Sequence, residues 1–335
     1  MKFGRFFAIA GCSALVAACT GTSLLPENEG ELSRMNVDSM GISVSADYQR
    51  EYSFTDKKSA FWYGMTHTDD WDNWHAGWNI AKRRLLSDYT IGVDGDMLSR
   101  READVTVYPY KISRVYPKAR EEFFMFDFVE LLYVELSDVK GDSVWIELAP
   151  RLISPGKPGA AGVEFVPVES AGGVITLQPY NDVQYRWDGS RLTAPANAGG
   201  FIISYTEDKK ADSIAAIFRR DREKMLEERI NRLNGFVEHS NPLVSDNDTL
   251  DMAMAWIVLT TDELVTCQQG NGIYAGLPWF NEYWGRDMFI TMPGAVFCTG
   301  QWSTARSIFS DFAEFQDKDY ASETLGRIPN RANPD

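Results

Sequence analysis

The segment that decides the fold of this chain reads Ala275-Gly276-Leu277-Pro278-Trp279-Phe280-Asn281-Glu282-Tyr283-Trp284-Gly285-Arg286-Asp287. It combines large aromatic side chains, one arginine and two carboxylates with the glycine and proline typical of a loop. Aromatic faces bind sugar rings, and a carboxylate placed among them can act as an acid or base on a glycosidic bond. The segment therefore indicates a loop that carries acid–base chemistry, placed directly before a helix.

The residues around this loop predict a helical region. Ser245-Asp246-Asn247-Asp248 has the pattern of a capped helix start, and residues 248–266 are apolar on most faces, which predicts a well-buried helix. A second helix is predicted from about Arg286 to Phe297, with a kink at Pro293. A third is predicted over about 303–316, because its apolar residues share one face.

A long amphipathic helix is predicted upstream, from about Lys209 to Val237. Its apolar residues follow helical spacing, with a polar gap between Arg219 and Arg222. We interpret it as a linker helix that lies along the preceding domain.

Residues from about 43 to 205 have the pattern of β-structure. Strand-like runs occur at Val105–Ile112, Phe126–Leu136, Val144–Leu148 and Gly200–Tyr205, and clusters of glycine, proline and aspartate separate them. Short strands with such punctuation favour an antiparallel β-sandwich.

The N-terminus resembles the leader of a bacterial lipoprotein. Lys2 and Arg5 precede an apolar run that ends in Val16-Ala17-Ala18-Cys19, and the run is too short to span a membrane. An ordinary secretory leader is the alternative. With Cys19 as the lipidated residue, we expect an exported lipoprotein, anchored in the outer membrane and facing the periplasm or the cell surface.

The charge and the aromatic content of the chain restrict the kinds of ligand that it can bind. With 33 Lys and Arg against 48 Asp and Glu, the formal net charge is −15. Such a surface repels nucleic acid, so polyanion binding is excluded. A soluble body that handles a neutral ligand fits this balance, and an aromatic content of 13% suits carbohydrate handling. No cofactor motif is present.

A second group of polar and aromatic residues lies between His67 and Trp78. His67, Asp69, Asp70, Asp72 and His75 are close in sequence, but their spacing matches no recognised metal-ligand set, so a solvated turn is the preferred interpretation. Trp71, Trp74 and Trp78 are consistent with a sugar-binding platform or with packing of the sandwich, and packing is preferred.

The C-terminal part of the chain resembles the glucosidase domain of glycogen debranching enzymes (amylo-α-1,6-glucosidase). The elements that carry the resemblance occur in family order: Ala275–Phe280, Trp284–Asp287, Pro293-Gly294, Thr299–Gln301 and Gly326–Arg331. Arg50–Thr55 and Asn73–Trp78 add a partial match to the β domain of the bacterial members, although a Gly-Gly of that region is missing.

The resemblance implies a β-sandwich, a linker helix and an (α/α)6 toroid of the glucoamylase-like kind. It implies the following division: signal peptide 1–19, tether 20–42, β-sandwich 43–206, linker helix 207–240 and the start of the glycosidase domain 241–335. Because Asp335 follows roughly the third barrel helix, we expect this chain to be truncated and inactive by itself, while its full-length parent is an enzyme.

The resemblance also assigns roles within the loop. Asp287 would be the general acid of an inverting reaction, and its partner base would lie beyond Asp335; a capping aspartate paired with Arg286 is the alternative. The predicted substrate-binding residues are Trp279, Phe280, Glu282, Trp284, Arg286, Asn330 and Arg331. Glu282 is predicted at the rim of the site, or without a role.

Three functions are consistent with these sequence features. The leading one is hydrolysis of α-1,6-linked glucosyl units of an α-glucan with inversion. The alternatives are another (α/α)6 glycosidase, trehalase-like or acting on oligosaccharides, and a non-catalytic glycan-binding lipoprotein.

Overall fold

The computed structural model describes residues 35–69, 71, 73–169, 172–207, 211–240 and 245–332. The predicted signal peptide with Cys19, and the tether up to residue 34, lie outside them. The chain forms two compact units: Met35–Gly235 with Gly276–Asn281, called the sandwich unit, and Phe236–Ala275 with Glu282–Asp335, called the helical unit. Among the described residues, no helix combines the length and the apolar character needed to cross a bilayer.

Antiparallel strands build the sandwich unit. Its strands are β1 (Ile42–Val44), β2 (Glu51–Thr55), β3 (Ala60–Met65), β4 (Gly77–Ile80), β5 (Arg83–Leu86), β6 (Tyr89–Val93), β7 (Asp96–Met97), β8 (Asp104–Val107), β9 (Lys111–Val115), β10 (Arg120–Phe126), β11 (Val129–Ser137), β12 (Ser143–Leu148), β13 (Lys157–Pro158), β14 (Val163–Phe165), β15 (Val174–Pro179), β16 (Arg186–Trp187), β17 (Arg191–Pro195) and β18 (Gly200–Thr206). Short 3-10 turns lie at Val37–Ser39, Ala46–Tyr48, Arg100–Glu102, Pro150–Leu152 and Ala196–Ala198.

These strands form three sheets around one core. The orders are β1-β8-β9-β10-β11-β18-β15-β14-β13 in a nine-stranded sheet, β16-β17-β12-β6-β7 in a five-stranded sheet and β2-β3-β4-β5 in a four-stranded sheet. One continuous cluster of buried side chains draws on all three, for example Trp62 from β3, Ile146 from β12 and Phe123 from β10. The predicted antiparallel β-sandwich is confirmed.

Two predicted strands are hairpins in the structure. The run Val105–Ile112 splits into β8 and β9, which pair with each other across Tyr108–Tyr110. The run Phe126–Leu136 contains the end of β10 and most of β11, and its turn places Phe128 at φ 62°. The left-handed conformation in this turn is adopted by a phenylalanine and not by a glycine. The sequence pattern therefore does not reveal the turn.

Helix α1 (Ala211–Ser240) packs on the outer face of the nine-stranded sheet. Side chains alternate along a strand, so Phe123 points into the core while Phe126 points to the other face. There the ring of Phe218 contacts Phe126 and Tyr133 edge-on, with centroids 4.9 and 5.3 Å apart. Arg222 of α1 also forms an ion pair with Glu135.

The helical unit combines three helices with short strands. Helix α2 spans Asp248–Leu264, α3 spans Gly285–Met292 and α4 spans Trp302–Ala313, with a π-helical turn at Pro293–Phe297. The strands β19 (Val265–Thr266), β20 (Gly272–Gly276), β21 (Phe280–Trp284) and β22 (Arg331–Ala332) form a four-stranded sheet in this order. The predicted disturbance at Pro293 takes the form of the π turn, because proline donates no backbone hydrogen bond.

The prediction that residues 248–266 form a well-buried helix is wrong in part. Ala255 and Leu259 are buried, but Leu250 and Ile257, on another face of α2, are 52% and 59% exposed. The described helices α2, α3 and α4 do not establish a closed toroid, which stays a prediction.

Candidate active site

Asp287 lies in the first turn of α3, directly after strand β21. Trp284 is the N-cap residue and has an extended backbone, and Asp287 is the third residue of the helix. Its carboxylate is 42% exposed and lies 3.2 Å from the guanidinium of Arg286, which is 65% exposed. A half-exposed carboxylate at a helix start is accessible to a ligand.

The N-terminus of α3 is capped by a distant residue, Asn330. Trp284 makes no side-chain capping hydrogen bond. Instead the backbone N–H of Gly285 donates to the carbonyl of Asn330 at 2.7 Å, and the N–H of Arg286 donates to Asn330 Oδ1 at 3.0 Å. Two of the free donors at the helix start are thus satisfied from the other end of the unit. Asn330, predicted to face the substrate, fixes the helix that carries Asp287.

The buried Glu282 and the exposed Arg331 form an ion pair beside the start of this helix. Arg331 donates from Nε to Glu282 Oε1 at 2.5 Å, and its guanidinium carbon lies 5.2 Å from the ring centroid of Trp284. Pairing of Trp284 with Arg331 between β21 and β22 brings these residues together. Glu282 is only 4% exposed, so the prediction of a rim position is wrong: the charge of Arg331 compensates its burial.

Tyr283 anchors the strand that leads into α3. Its buried hydroxyl accepts from the N–H of Gln268 at 2.8 Å and lies 2.8 Å from the carbonyl of Thr266, to which it can donate. Burial raises the pKa of Tyr283 well above its usual range, so the hydroxyl stays protonated. This network fixes β21 against the β19–β20 turn, a feature that the sequence motif does not show.

The glycine of the Trp-Gly-Arg-Asp motif has a packing role. A Cβ at Gly285 would lie 3.0 Å from the ring of Phe312 on α4, closer than ordinary van der Waals contact. Phe312 also meets Phe289 of α3 edge-on at 5.3 Å. The close approach of α3 to α4 therefore favours a residue without a side chain at the first helical position, since Phe312 would otherwise have to shift by a few tenths of an ångström.

The structure brings together six of the predicted site residues in the helical unit. They are Glu282, Trp284, Arg286, Asp287, Asn330 and Arg331. Trp279 and Phe280 belong to the sandwich unit and are 58% and 54% exposed, after a cis Leu277–Pro278 bond. The indole N–H of Trp284 is buried and finds no acceptor among the described residues.

The residues around His67 form no recognisable ligand set. No cluster of three or more potential metal ligands occurs within the described ranges, which leave out Asp70 and Asp72. His67 is 1% exposed, and its Nδ1 lies 3.0 Å from Thr66 Oγ1. Asp69 accepts hydrogen bonds from Ser99 Oγ and from the N–H of Arg100, both at 2.6 Å. The solvated-turn interpretation is wrong for these two residues, which are bound within the fold.

The three tryptophans nearby have different environments. Trp78 is fully buried in the sandwich core, and Trp71 meets the ring of Tyr63 edge-on at 4.9 Å. Both pack, as preferred from the sequence. Trp74 is 84% exposed and has no packing role in the sandwich.

Comparison with known proteins supports the C-terminal resemblance. Residues 238–333 match the model of the family described as amylo-alpha-1,6-glucosidase. No curated protein matches the chain. Among solved structures, a family 81 glycoside hydrolase from Clostridium thermocellum, solved as a mutant, is 11% identical with a TM-score of 0.33. That likeness covers 51% of this chain and 24% of that enzyme.

The matched segment includes β21, α3 and the Asn330 loop, so every residue around Asp287 described above lies within it. The match supports a glycosidase in general.

Proposed function

We propose that this protein is a glycoside hydrolase of the debranching type, which removes α-1,6-linked glucosyl units of an α-glucan with inversion. The observation that carries the proposal is the Trp284–Asp287 motif, which lies inside the matched segment and sets a half-exposed carboxylate at the start of α3. Asp287 is the proposed general acid, which protonates the glycosidic oxygen as the bond to the anomeric carbon breaks.

Inversion requires a second carboxylate about 6.5–9.5 Å from the acid, to activate a water molecule on the opposite face of the sugar. Glu282 is unsuited to this role, because it is buried and bound to Arg331. We therefore assign no base within the described residues, and we interpret Glu282 as a positioning residue. Trp284 is proposed to bind the sugar by stacking.

The test is glucose release from a branched limit dextrin by a protein that joins this chain to the base predicted beyond Asp335, and by the Asp287→Asn variant of that protein. We expect the wild-type protein to release glucose, initially as the β-anomer in NMR spectra, and Asp287→Asn to lower the rate at least a hundredfold. Glu282→Asp, which keeps a carboxylate for Arg331, is the control and should retain most of the activity. Unchanged activity of Asp287→Asn would contradict the assignment.

The same assay separates the alternative functions. Release of glucose from trehalose, but not from the dextrin, would favour a trehalase-like enzyme. Binding of dextrin without any cleavage would favour a glycan-binding protein.

We also propose that the protein is an exported lipoprotein, anchored through Cys19. The support is the sequence Val16-Ala17-Ala18-Cys19 after an apolar run. The wild-type protein should enter the detergent phase in a phase-partition experiment, and Cys19→Ala should remain in the aqueous phase. If both behave alike, an ordinary secretory leader is the better interpretation.

A further inference from the structure

A polar pocket opens on the sandwich unit, where β15 ends beside helix α1. Its volume is about 290 Å³, near the lower end of the range for small-molecule sites. Its lining includes Gln178, Asn181, Asp182, Tyr185 and Arg219. None of these residues belongs to the proposed catalytic segment around Asp287.

Arg219 holds one wall of this pocket in place. It donates from Nε to the carbonyl of Tyr180 at 2.6 Å, and from Nη2 to Gln178 Oε1 at 2.6 Å and to the carbonyl of Pro179 at 2.7 Å. These bonds fix the end of β15 against α1 before any ligand arrives. Because these side chains are already ordered in the free protein, binding a ligand loses less conformational entropy than it would in a flexible pocket.

Gln178 leaves a polar group unsatisfied at this wall. Its side chain is 4% exposed, and the bond from Arg219 to Oε1 sets the orientation of the amide. Among the described residues, Gln178 Nε2 then finds no acceptor. Because Nε2 is itself shielded from solvent, Gln178 forms a fixed part of the pocket wall and does not donate to a ligand.

The charges at the pocket are balanced. Burial lowers the pKa of Arg219, and the carboxylate of Asp182 opposes that effect. A guanidinium and a carboxylate at one opening offer donors and acceptors together, which suits vicinal hydroxyl groups and disfavours a polyanion. Tyr185, 37% exposed, adds an aromatic ring of the kind that stacks on sugars.

We propose that this pocket binds one hexose unit of a neutral glycan, in addition to the proposed catalytic segment around Asp287. Arg219 donates to hydroxyl oxygens, Asp182 accepts from hydroxyl groups, and Tyr185 packs against the sugar ring, while Gln178 holds Arg219 in place. The choice of an α-glucan as the first probe rests on the proposed function. The assignment of a neutral sugar to the pocket rests only on the residues that line it.

The experiment is a titration of the ¹⁵N-labelled protein with maltotriose, followed by NMR. The side-chain amide signal of Gln178 should shift with saturation, and Tyr185→Ala and Asp182→Asn should each weaken the affinity at least fivefold. Tyr48→Ala is the matched control, because Tyr48 is 67% exposed and lies outside the pocket lining. It should bind as the wild type does.

Asp287→Asn separates this proposal from the catalytic one, since it should leave the Gln178 shift unchanged. Glycerol at the same concentration, as a polyol without a sugar ring, should produce no saturating shift. The proposal is overturned if maltotriose, isomaltose and galactose all leave the Gln178 signal in place. It is also overturned if Tyr185→Ala binds as tightly as the Tyr48→Ala control.

Discussion

Asn330 shows how a single residue can fix the backbone of the candidate site. Helix α3 begins at a tryptophan that cannot cap it, and its first two N–H groups bond to the carbonyl and the side chain of Asn330. These bonds fix the helix start, and with it the direction of the Asp287 side chain. Asn330 is thus a positioning residue, which acts on Asp287 through the backbone.

Replacing Asn330 tests this role. Asn330→Ala removes the side-chain acceptor, so we expect a loss of about 1 kcal/mol in the free energy of unfolding and a lower kcat with little change in KM. Asn330→Asp keeps an oxygen at that position and adds a charge that the helix start favours, so it should retain both stability and kcat. Urea unfolding and steady-state kinetics measure the two effects. An alanine variant that equals the wild type in both would refute the role of the cap.

At the scale of the element, helix α1 is bound to its sheet by one aromatic contact surface and several arginines. Phe218 meets Phe126, Tyr133 and Tyr180 at centroid distances of 4.9–6.0 Å. Farther along, Arg229 and Arg232 both pair with Asp127 in the turn after β10. The polar residues from Arg219 to Arg222, which interrupt the apolar pattern in the sequence, also contact the sheet. Arg219 bonds to the end of β15, and Arg222 forms an ion pair with Glu135.

Two neighbouring residues of α1 provide a matched test of this packing. Phe218 is 1% exposed, whereas Ile217 is 49% exposed. Phe218→Ala should lower the free energy of unfolding by about 3–5 kcal/mol, because it leaves a cavity between helix and sheet. Ile217→Ala should change it by less than about 1 kcal/mol. Equal effects in urea unfolding would show that the aromatic contact does not hold the helix.

At the scale of the whole molecule, stability should depend on a buried carboxylate, Asp56. Its Oδ1 accepts from the N–H groups of Lys58, Ser59 and Ala60 at 2.8–3.0 Å. Its Oδ2 is buried and finds no partner among the described residues. Burial raises the pKa of Asp56 from 3.8 to about 7, with a smaller contribution from Glu130 and an opposing one from the backbone bonds.

The sign of the pH effect follows from this shift. Between pH 3.8 and about 7 the folded protein keeps a proton on Asp56 that the unfolded chain releases. The contribution of Asp56 to the free energy of unfolding therefore falls as the pH rises through this window, by a few kcal/mol at roughly 1.4 kcal/mol per unit. It is constant above and below the window.

The Asp56→Asn variant isolates this contribution. Its amide oxygen can keep the three backbone bonds, and it carries no charge, so its stability relative to the wild type should increase steadily from pH 4 to pH 7. Urea unfolding at several pH values gives the difference. Asp94→Asn is the control: backbone bonds from Ser143 and Asp142 lower the pKa of Asp94 from 3.8, so its contribution changes only below that pH and its difference from the wild type should stay nearly constant from pH 4 to pH 7. A difference for Asp56→Asn that does not vary with pH would contradict the prediction.

Local patterns in the sequence were enough to predict the β-sandwich, the amphipathic helix after it and the helix that begins beside Asp287. Each depends on a short-range rule: strand alternation with turn punctuation, helical spacing, and a change from loop residues to an apolar run. The motif that singled out Asp287 is also local, so the sequence could place it at a helix start.

The tertiary structure decided what the neighbouring residues do. It made Asn330 a cap, buried Glu282 against Arg331, turned Phe126–Leu136 into a hairpin through Phe128, and formed the pocket between the end of β15 and α1. Most of these features bring together residues that are distant in sequence. The turn at Phe128 depends instead on a backbone conformation that the identity of the side chain does not predict. Burial, pairing and hydrogen-bond satisfaction are properties of the assembled chain, and local sequence patterns do not contain them.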